Sequence, residues 1–280
     1  MTPNIFFWKA DNTGCGHYRM QLPAKQLNDQ GLAYTVANTR LDVDRPYEII
    51  VAQRTTGEYQ SHVFKTIAES KTLAVLDMDD DLFNVPEHNL AHSYYAQKDV
   101  RSQLAGNLEV ANLVTVSTEY LGERMREYTD APIEVLPNCL DLGSFSKRPE
   151  SRGGLSVGWA GSGTHRADLE AVAEPVRKGV DKSGARFITV GADYSWIIEA
   201  KDSQYLGGTD DATQFHHMIN FDIGIAPIEN NEFNRSKSAL KALEYGARGI
   251  ATIASNVEPY ANYIEHGVDG FLVSHEHEWT

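Results

Sequence analysis

The sequence predicts an α/β protein made of two Rossmann-like domains that face each other across a cleft. Short apolar strands alternate with amphipathic helical segments, which is the pattern of βαβ units in a mainly parallel sheet. The pattern stops between positions 137 and 154, where prolines, glycines and mixed charges are typical of a linker. It then restarts, and 280 residues are long enough for two such domains.

We therefore expect an N-terminal domain over residues 1–145 and a C-terminal domain over residues 146–280. Ligands of this fold class bind at the carboxyl ends of the parallel strands. The functional site is accordingly expected in the cleft, where those ends from both sheets would meet.

In the first half, each predicted strand is a short apolar run that ends in a turn rich in Gly, Ser, Asn or Asp. The predicted strands are Ile5–Trp8, Tyr34–Ala37, Glu48–Gln53, Leu73–Asp77, Leu113–Val116 and Ile133–Leu136. The predicted helices are Tyr18–Gln30, Glu58–Ser70, Val100–Ala111 and Glu119–Tyr128.

The second half repeats this architecture without repeating the sequence. Its predicted strands are Leu155–Ala160, Phe187–Val190, Asp222–Ala226 and Ile250–Ala254. Its predicted helices are Arg166–Lys178, Ala212–Met218 and Ser236–Ala247. His216 and His217 are expected on a helix face rather than in a metal site, because no other ligand has compatible spacing.

Composition excludes several classes of protein. Hydrophobic residues make up 41% and charged residues 23% of the chain, which suits a soluble globular protein without a transmembrane segment. Cys15 and Cys139 lack CxxC spacing, so we expect a reducing cytoplasm, or the host cytoplasm if the chain is phage-encoded. The net charge of −14 means that nucleic acid or an anionic membrane would need a local basic patch.

A small-residue loop follows the first strand of the second half. Gly161, Ser162, Gly163 and Thr164 lie between that strand and a helix, for which Thr164 is a plausible N-cap. Glycines let backbone N–H groups approach an anion, and a helix start adds positive potential. The loop is thus a candidate phosphate cradle, although a plain tight βα turn would have the same sequence.

A second cluster lies at the predicted start of the helix Ser236–Ala247. Lys237, Lys241 and Glu244 share one stripe of that helix. Cations oppose the dipole in a first helical turn, so Arg235 and Lys237 suggest a bound anion there. The alternative is a solvated face of ion pairs, which contributes only tenths of a kcal/mol.

The order of motifs in the second half resembles a known family. The segment from Lys237 to Gly249, with Lys241, Leu243-Glu244-Tyr245 and a following strand that ends in Ala-Ser, is similar to the donor-binding segment of GT-B glycosyltransferases. The resemblance is to the retaining family-4 type, in a compact bacterial or phage-like form. Three further segments agree in order, namely Tyr205–Gly208, Phe221–Pro227 and the hairpin-like Ile264–Val273.

That resemblance implies a nucleotide-sugar donor, UDP- or GDP-linked, bound mainly by the C-terminal domain. Glu244 would hydrogen-bond the ribose hydroxyls, Lys237 and Arg235 would neutralise the diphosphate, and Lys241 would lie in the same site. Backbone groups of Ser236 and Ser238 would cap the diphosphate. The family often has a glutamate where this chain has Ser236, and Glu229 or Glu232 are the available substitutes.

The first strand of the N-terminal half is followed by a glycine-rich turn with Gly14, Gly16, His17 and Arg19. The resemblance implies that this loop lies near the donor phosphates and the acceptor. Gly14, Gly16 and Arg19 are therefore expected to contact the donor, and His17 is a candidate catalytic contact to the leaving group. Alternatively, His17 is a helix-start histidine with a local hydrogen bond.

Carboxylates are concentrated at the end of the strand Leu73–Asp77. Asp79 and Asp80 are catalytic candidates at an acceptor or sugar-hydroxyl site, beside Lys237. A divalent metal at Asp77, Asp79 and Asp81 is the second interpretation, and a solvated loop is the third. The following loop could line the acceptor site or act as a lid, through His88, His92, Tyr94 and Tyr95.

The sequence therefore predicts a glycosyltransferase, with retention implied by the resemblance and no cofactor beyond the co-substrate. The acceptor would be a glycan, a small molecule or modified DNA. A DNA-modifying enzyme would use a basic patch of Lys98, Arg101, Arg124 and Arg126. Two different functions also fit the motifs, namely a nucleotide-sugar epimerase and a non-catalytic nucleotide-sugar-binding protein, the second of which Ser236 motivates.

Overall fold

The computed structural model describes residues 2–146 and 153–280, and these form two compact units. The first unit extends to Val85 and includes His92–Cys139 and Ser236–Ser238. The second unit takes in Pro86–Ala91, Leu140–Arg235 and Ala239–Thr280. Of the predicted linker 137–154, residues 147–152 lie outside the described residues.

The first unit contains a six-stranded sheet in which every neighbouring pair is parallel. The strand order is β2-β1-β3-β4-β5-β6, so the order reverses between β1 and β3. This is the switch point where open α/β sheets bind ligands. The strands are β1 Asn4–Trp8, β2 Tyr34–Asn38, β3 Ile49–Gln53, β4 Leu73–Met78, β5 Leu113–Val116 and β6 Ile133–Val135.

The predicted helix Tyr18–Gln30 begins earlier and changes register on the way. It consists of α1 Gly14–Gly16, a π-helical turn His17–Gln21 and α2 Leu22–Asp29. Pro23, which has no N–H to donate, stands beside the change of register. The other helices of this unit are α3 Glu58–Ala68, α4 His92–Tyr95, α5 Lys98–Val110 and α6 Glu119–Met125.

The second unit has its own six-stranded parallel sheet. Its order is β12-β11-β10-β7-β8-β9, which places the switch point between β7 and β10. The strands are β7 Ser156–Gly161, β8 Arg186–Gly191, β9 Ser203–Leu206, β10 Ile223–Ala226, β11 Ala251–Ser255 and β12 Gly270–Val273. The predicted hairpin-like segment Ile264–Val273 contains a tight turn, in which the Gly267 N–H donates to the Gly270 carbonyl at 2.8 Å, and its strand β12 pairs parallel to β11.

The helices of the second unit include one that differs from the predicted Arg166–Lys178. It is interrupted after Glu170 and resumes at Ala173, because Pro175 cannot donate the N–H that a continuous helix needs at that point. The helices are α7 Arg166–Glu170, α8 Ala173–Ser183, α9 Ser195–Ile198, α10 Ala212–Met218, α11 Glu232–Arg235 and α12 Leu240–Ala247. Within the described residues, no helix has the length and apolar character needed to cross a bilayer.

Two glycines paired across β7 and β10 set the packing beneath the second switch point. Gly158 lies opposite Gly224, and a Cβ on either would meet an aromatic ring, that of Phe221 at 2.1 Å or that of Tyr245 at 2.4 Å. Both rings are fully buried, which stabilises the unit by about 2–3 kcal/mol per side chain. The glycines are therefore required by close ring-to-backbone packing.

The helix predicted to start at Ser236 starts instead at Leu240. The reason is that the polar groups of Ser236–Ser238 bond outside any helix. The Ser236 hydroxyl accepts the Asp81 N–H at 3.2 Å, and its carbonyl accepts the Thr118 hydroxyl at 2.9 Å. The Asn138 amide donates to the Ser238 hydroxyl at 2.7 Å. The shared stripe predicted for Lys237, Lys241 and Glu244 is consequently wrong, since Lys237 precedes the helix.

Candidate functional site

The glycine-rich turn after β1 already donates hydrogen bonds to a carboxylate of the protein itself, that of Asp11. The Asp11 carboxylate accepts the N–H groups of Thr13 at 2.8 Å and Gly16 at 3.2 Å, and the Thr13 hydroxyl at 2.7 Å. Burial raises the Asp11 pKa, but the Thr13 bonds and the charge of Arg54 outweigh it and leave the pKa below its ordinary value. A Cβ on Gly16 would lie 2.1 Å from the Asp11 carbonyl, whereas Gly14 is exposed with open space around it. Gly16 is thus needed by this turn.

Arg54 links the two strand ends of the first switch point. It follows β3 directly and adopts a left-handed backbone with φ of 46°, which is costly for a residue with a side chain. Its guanidinium pairs with Asp11, and its Nε lies 3.4 Å from Asp79 Oδ1. The sequence reasoning missed this residue, and its only signal was a cation directly after a buried strand.

Asp79 and Asp80 form a polar cluster with Arg54, and the charge of Lys237 also acts on Asp80. Asp79 is 7% exposed. Burial and the charge of Asp79 raise the pKa of Asp80 to about 6, while the charges of Lys237 and Arg54 act in the opposite direction. Burial likewise raises the pKa of Tyr95 to about 12. The first unit therefore presents a carboxyl that titrates near neutrality beside two cations, which suits it to exchange protons or to bind hydroxyl groups.

Cys15 faces the same carboxylates. Burial and the charge of Asp79 raise the pKa of its thiol well above the ordinary value. The neutral thiol is a poor nucleophile, so this cysteine is not a candidate for covalent catalysis.

The predicted donor contact Arg19 is fully engaged inside the first unit. Its Nε and Nη2 donate to the two Asp77 oxygens at 3.0 and 2.6 Å, and its Nη1 donates to the Leu136 carbonyl and the Asn138 side chain. Arg19 and Asp77 are 6% and 2% exposed. The pair fixes β4 against the segment after β6, which is a structural role.

This pairing also bears on the possibility of a metal site. Asp77 is held by Arg19 and by the Thr115 hydroxyl at 2.7 Å, and Asp81 accepts the Asn84 amide at 2.8 Å. Within residues 2–146 and 153–280, no group of three or more His, Cys, Asp or Glu side chains is arranged to hold a metal ion. Asp77, Asp79 and Asp81 therefore do not form a preassembled ligand set.

His17 begins the π-helical turn and is half-buried, with its ring 5.0 Å edge-on from that of Tyr18. In the segment predicted as a lid, His92 Nδ1 lies 2.7 Å from the Val85 carbonyl, and the Tyr94 hydroxyl bonds Thr56 at 2.9 Å. His88 belongs to the second unit, where its Nε2 lies 3.3 Å from a Glu229 oxygen. The four predicted lid residues are thus divided between the two units.

In the second unit, the Gly161–Thr164 loop lies at the end of β7, beside the switch point. The Gly161 carbonyl accepts the Ala192 N–H at 2.9 Å, and the Gly163 carbonyl accepts the Tyr194 hydroxyl. Thr164 is not an N-cap, because its hydroxyl lies 3.0 Å from that of Ser162 and the loop continues as a short 3-10 turn into α7. With its carbonyls held, the loop has amide N–H groups at the start of a helical turn for an incoming anion.

Lys241 is the cation that the fold brings to this loop. A Cβ on Gly161 would lie 3.3 Å from Lys241 Cε and 2.7 Å from the Trp159 ring. The Lys241 ammonium lies 5.7 Å from the centre of that ring and 3.0 Å from His165 Nε2. His165 Nδ1 in turn lies 2.8 Å from Asp168 Oδ2. The sequence analysis gave His165 and Asp168 no role.

Glu244 is buried in α12 and points to α10. Its Oε1 lies 3.5 Å from His216 Nε2, and the His216 ring stacks on Phe145 with centres 4.1 Å apart. Glu244 and His216 are 6% and 2% exposed. His216 lies in the last turn of α10, as the helix-face interpretation predicted, and its pairing with Glu244 was missed.

Three further predicted residues are Arg235, Ser236 and Glu232. Arg235 is exposed at the end of α11, and its Nε donates to Asn230 at 2.8 Å. Ser236 is fully buried on Asp81 and Thr118, so it does not replace the family glutamate. Of the substitutes, Glu232 is exposed.

Two members of the predicted basic patch are already bound. The Arg101 guanidinium donates to the Phe83 carbonyl at 2.7 Å and lies over the Phe83 ring. Arg124 contacts Glu127 at 2.7 Å and Asp81 at 3.4 Å. Lys98 and Arg126 are exposed. The carboxylates of Asp81 and Glu127 therefore offset the charge of Arg124, and the Arg101 guanidinium is held against Phe83.

Comparison with known proteins supports the family resemblance. No protein-family model matches the chain. A putative teichuronic acid biosynthesis glycosyltransferase, TuaH of Bacillus subtilis (strain 168), is 22% identical over 205 residues. These residues are 63% of this chain and 51% of that relative, so the match spans about half of the relative's length.

Solved structures resemble the whole chain. HepE of Anabaena, in complex with UDP and glucose, is 12% identical and has a TM-score of 0.67, with 100% of this chain and 87% of that chain covered. Sucrose-phosphate synthase of Thermosynechococcus elongatus is 13% identical with a TM-score of 0.67, covering 98% and 86%. An alpha-glucosyltransferase in complex with UDP and a 13-mer DNA containing an HMU base is 12% identical with a TM-score of 0.62, covering 91% and 80%. The chain therefore has the GT-B fold, with two Rossmann-like domains, as its motifs predicted.

Proposed function

We propose that this chain is a glycosyltransferase that moves a sugar from a UDP-linked donor to a hydroxyl acceptor. The GT-B fold supports the proposal, as does the glycosyltransferase relative from Bacillus subtilis. HepE, which resembles the chain over its full length, was solved with UDP-glucose and with UDP and glucose. A UDP-linked donor is therefore favoured over a GDP-linked one.

The observation that carries the proposal is the position of Lys241 beside Gly161 at the second switch point. A departing nucleoside diphosphate accumulates negative charge, and a fixed cation with backbone N–H donors stabilises that charge most when it is preorganised. We assign the diphosphate to Lys241 and the Gly161–Thr164 loop. Arg235 and Lys237, the cations first assigned, lie at the end of α11 and in the first unit respectively.

Glu244 supports the nucleoside part of the assignment. It is a buried acceptor on α12, the same helix as Lys241, and a carboxylate can accept hydrogen bonds from both cis hydroxyls of a ribose. His216 Nε2 lies 3.5 Å from its Oε1. We therefore assign the donor to residues 146–280.

The acceptor is assigned to residues 1–145 and to the cluster around Asp79 and Asp80. Above pH 6 the Asp80 carboxylate accepts a hydrogen bond from an acceptor or sugar hydroxyl, and the charges of Lys237 and Arg54 favour its ionised form. We propose retention by attack on the same face that the diphosphate leaves. The acceptor oxygen bonds to the anomeric carbon, the bond to the phosphate oxygen breaks, and the acceptor proton passes to the departing phosphate.

Four other predicted site residues belong to the first unit and stay part of the proposal, namely His17, Gly14 and, through their backbone groups, Ser236 and Ser238. Arg19 and Gly16 act indirectly, because they position β4 and the Asp11 turn. A cytoplasmic location is proposed from the two cysteines, which are free thiols.

A modified-DNA acceptor is the second candidate, since one structural neighbour was solved with DNA that contains an HMU base. The net charge of −14 and the bound states of Arg101 and Arg124 count against it. Incubation with hydroxymethylated and plain oligonucleotides at low salt tests it. Labelled sugar on the modified oligonucleotide would support a DNA acceptor, and its absence there, with transfer to a glycan or small molecule, would exclude it.

A panel of UDP-, GDP-, ADP- and CMP-sugars tests the activity itself. Thermal shift identifies the bound nucleotide, since a ligand stabilises according to its occupancy. Slow hydrolysis of the bound donor without acceptor then separates an enzyme from a non-catalytic binding protein. We expect UDP-sugars to stabilise and to be hydrolysed. Stabilisation by none of the four would contradict the proposal.

A further inference from the structure

His165 connects two charged side chains of the second unit. Its Nδ1 lies 2.8 Å from Asp168 Oδ2 and its Nε2 lies 3.0 Å from Lys241 Nζ. An ammonium group only donates hydrogen bonds, so Nε2 must be the acceptor. The ring is then neutral and carries its proton on Nδ1, which donates it to Asp168. The two contacts select one tautomer of this histidine.

Asp168 is fixed by its second oxygen. Oδ1 accepts the Glu229 N–H at 3.0 Å and the Asn234 side-chain amide at 3.2 Å. Asp168 is only 6% exposed, and Asn234, on the short helix α11, is 4% exposed. The carboxylate is therefore held in place by the loop after β10 and aims its other oxygen at His165.

Lys241, which contacts Nε2 of His165, packs beside Gly161 and Trp159. Its Cε lies 3.3 Å from the position that a Gly161 Cβ would take, and its ammonium is 5.7 Å from the Trp159 ring centre. The Trp159 ring is also edge-on to His165, with centres 6.0 Å apart. Ordering a lysine side chain costs conformational entropy. Contacts that order it before ligand arrives remove that cost from binding.

We propose that Asp168 and His165 are positioning residues that hold the Lys241 ammonium at the Gly161–Thr164 loop for the donor diphosphate, and that protonation of His165 releases it. This inference rests on the proposed function, which assigns the diphosphate to that loop. Neither residue needs to touch the substrate. They hold the Lys241 ammonium in one position before the donor binds, and the donor diphosphate then contacts it there.

The surroundings of His165 support this dependence on pH. Asp168 and Lys241 are charged groups that face the ring, and the phenols of Tyr194 and Tyr260 lie within the field of Asp168. A proton on Nε2 would remove the acceptor for Lys241 and set two positive charges face to face.

Nearby charges are engaged elsewhere. Arg166 pairs with Glu170 at 2.7 Å, and the Glu229 carboxylate pairs with His88 at 3.3 Å. Donor affinity should therefore be lower at pH 5.5 than at pH 7.5.

The test uses the full-length protein and UDP-glucose, whose phosphates are diesters and do not titrate near neutrality. Dissociation constants at pH 7.5 and 5.5 are measured for the native protein, H165Q, H165F and the control H62Q. The glutamine of H165Q would keep an acceptor for Lys241 but cannot be protonated, and His62 is an exposed histidine on α3. Proton–nitrogen NMR of the ligand-free protein, with His165 assigned by its loss in H165Q, reports the tautomer independently of any donor.

We expect the proton on Nδ1 of His165 and about tenfold weaker binding at pH 5.5 in the native protein and H62Q. H165Q should bind about equally at both pH values, and H165F should bind weakly at both. A proton on Nε2 in the ligand-free protein would overturn the inference, as would the same pH response in H165Q as in the native protein. Failure of the native protein to bind any nucleotide-sugar contradicts the proposed function instead, while the NMR result still decides the tautomer.

Discussion

The hydroxyl of Tyr245 lies 3.1 Å from the amide nitrogen of Ala160 and 3.3 Å from the Ile225 carbonyl. These two backbone groups belong to β7 and β10, whose ladder is paired at Ile223–Val157 and Gly224–Gly158. The phenol bridges the strands where they diverge at the switch point. A buried tyrosine on α12 thus replaces a ladder hydrogen bond at the place where the loop after β7 begins.

Replacing Tyr245 with phenylalanine should measure how much its hydroxyl contacts stabilise the folded protein. Y245F leaves the Ala160 N–H buried without its acceptor, so we expect the free energy of unfolding to fall by about 1–3 kcal/mol. Urea denaturation checks it, with Y34F as the control because Tyr34 is 65% exposed at the edge strand β2. Equal stability of Y245F and Y34F would show that the bridge contributes nothing.

Asp80 should make the protein less stable as the pH rises. Its pKa is raised from 3.8 to about 6 in the folded state, so the folded protein binds this proton more tightly than the unfolded chain does. The resulting stability is fully present below pH 3.8 and is lost as the pH rises through about 6.

D80N removes that dependence. We expect D80N to be more stable than the native protein at pH 7.5, of similar stability at pH 4, and much less active in sugar transfer. Denaturation at both pH values and a transfer assay measure this, with D130N as the control at an exposed aspartate. A D80N protein that is less stable at pH 7.5 and fully active would refute the role given to this carboxyl.

Glu244 should make the protein prefer a donor with ribose over one with 2′-deoxyribose. If its carboxylate accepts the ribose hydroxyls, E244Q loses about 1.5–3 kcal/mol of donor binding, which is roughly a 10- to 150-fold change. A 2′-deoxy donor should bind the native protein less well than the natural donor. In E244Q that difference should shrink, because the missing hydroxyl no longer has its charged partner. Calorimetry with the four combinations gives the coupling, and additive losses would place Glu244 away from the ribose.

The fold was predictable because its strands are buried and apolar. Strand β5 coincides with its predicted bounds, since Leu113–Val116 is an apolar run between a helix and a Ser-Thr turn. Strand β9 was missed because Ser203–Leu206 is an edge strand with mostly exposed residues, and it lacks the apolar signal. Local pattern is therefore sufficient for the central strands and for the edge strands β2 and β6, and it fails at the exposed edge strand β9.

The site was less predictable because long-range contacts decide it. Ser236-Lys-Ser-Ala-Leu240 reads as the start of a helix, yet its serines bond Asp81, Thr118 and Asn138, up to 155 residues away. Arg54 gains its importance from a left-handed backbone and from Asp11, which is 43 residues away. Neither relationship leaves a trace in the local sequence. By contrast, the i,i+3 spacing of His165 and Asp168 was visible and could have been recognised as a contact on one helical turn.

Calorimetric titration of UDP-glucose into the native protein, K241M and K182M tests the central claim most directly. Lys182 is an exposed lysine on α8 of the same unit, so K182M changes the net charge equally without touching the loop. The account predicts that K241M weakens binding about 10- to 150-fold and that K182M binds as the native protein does. Native affinity in K241M, or an equal loss in both variants, would contradict it.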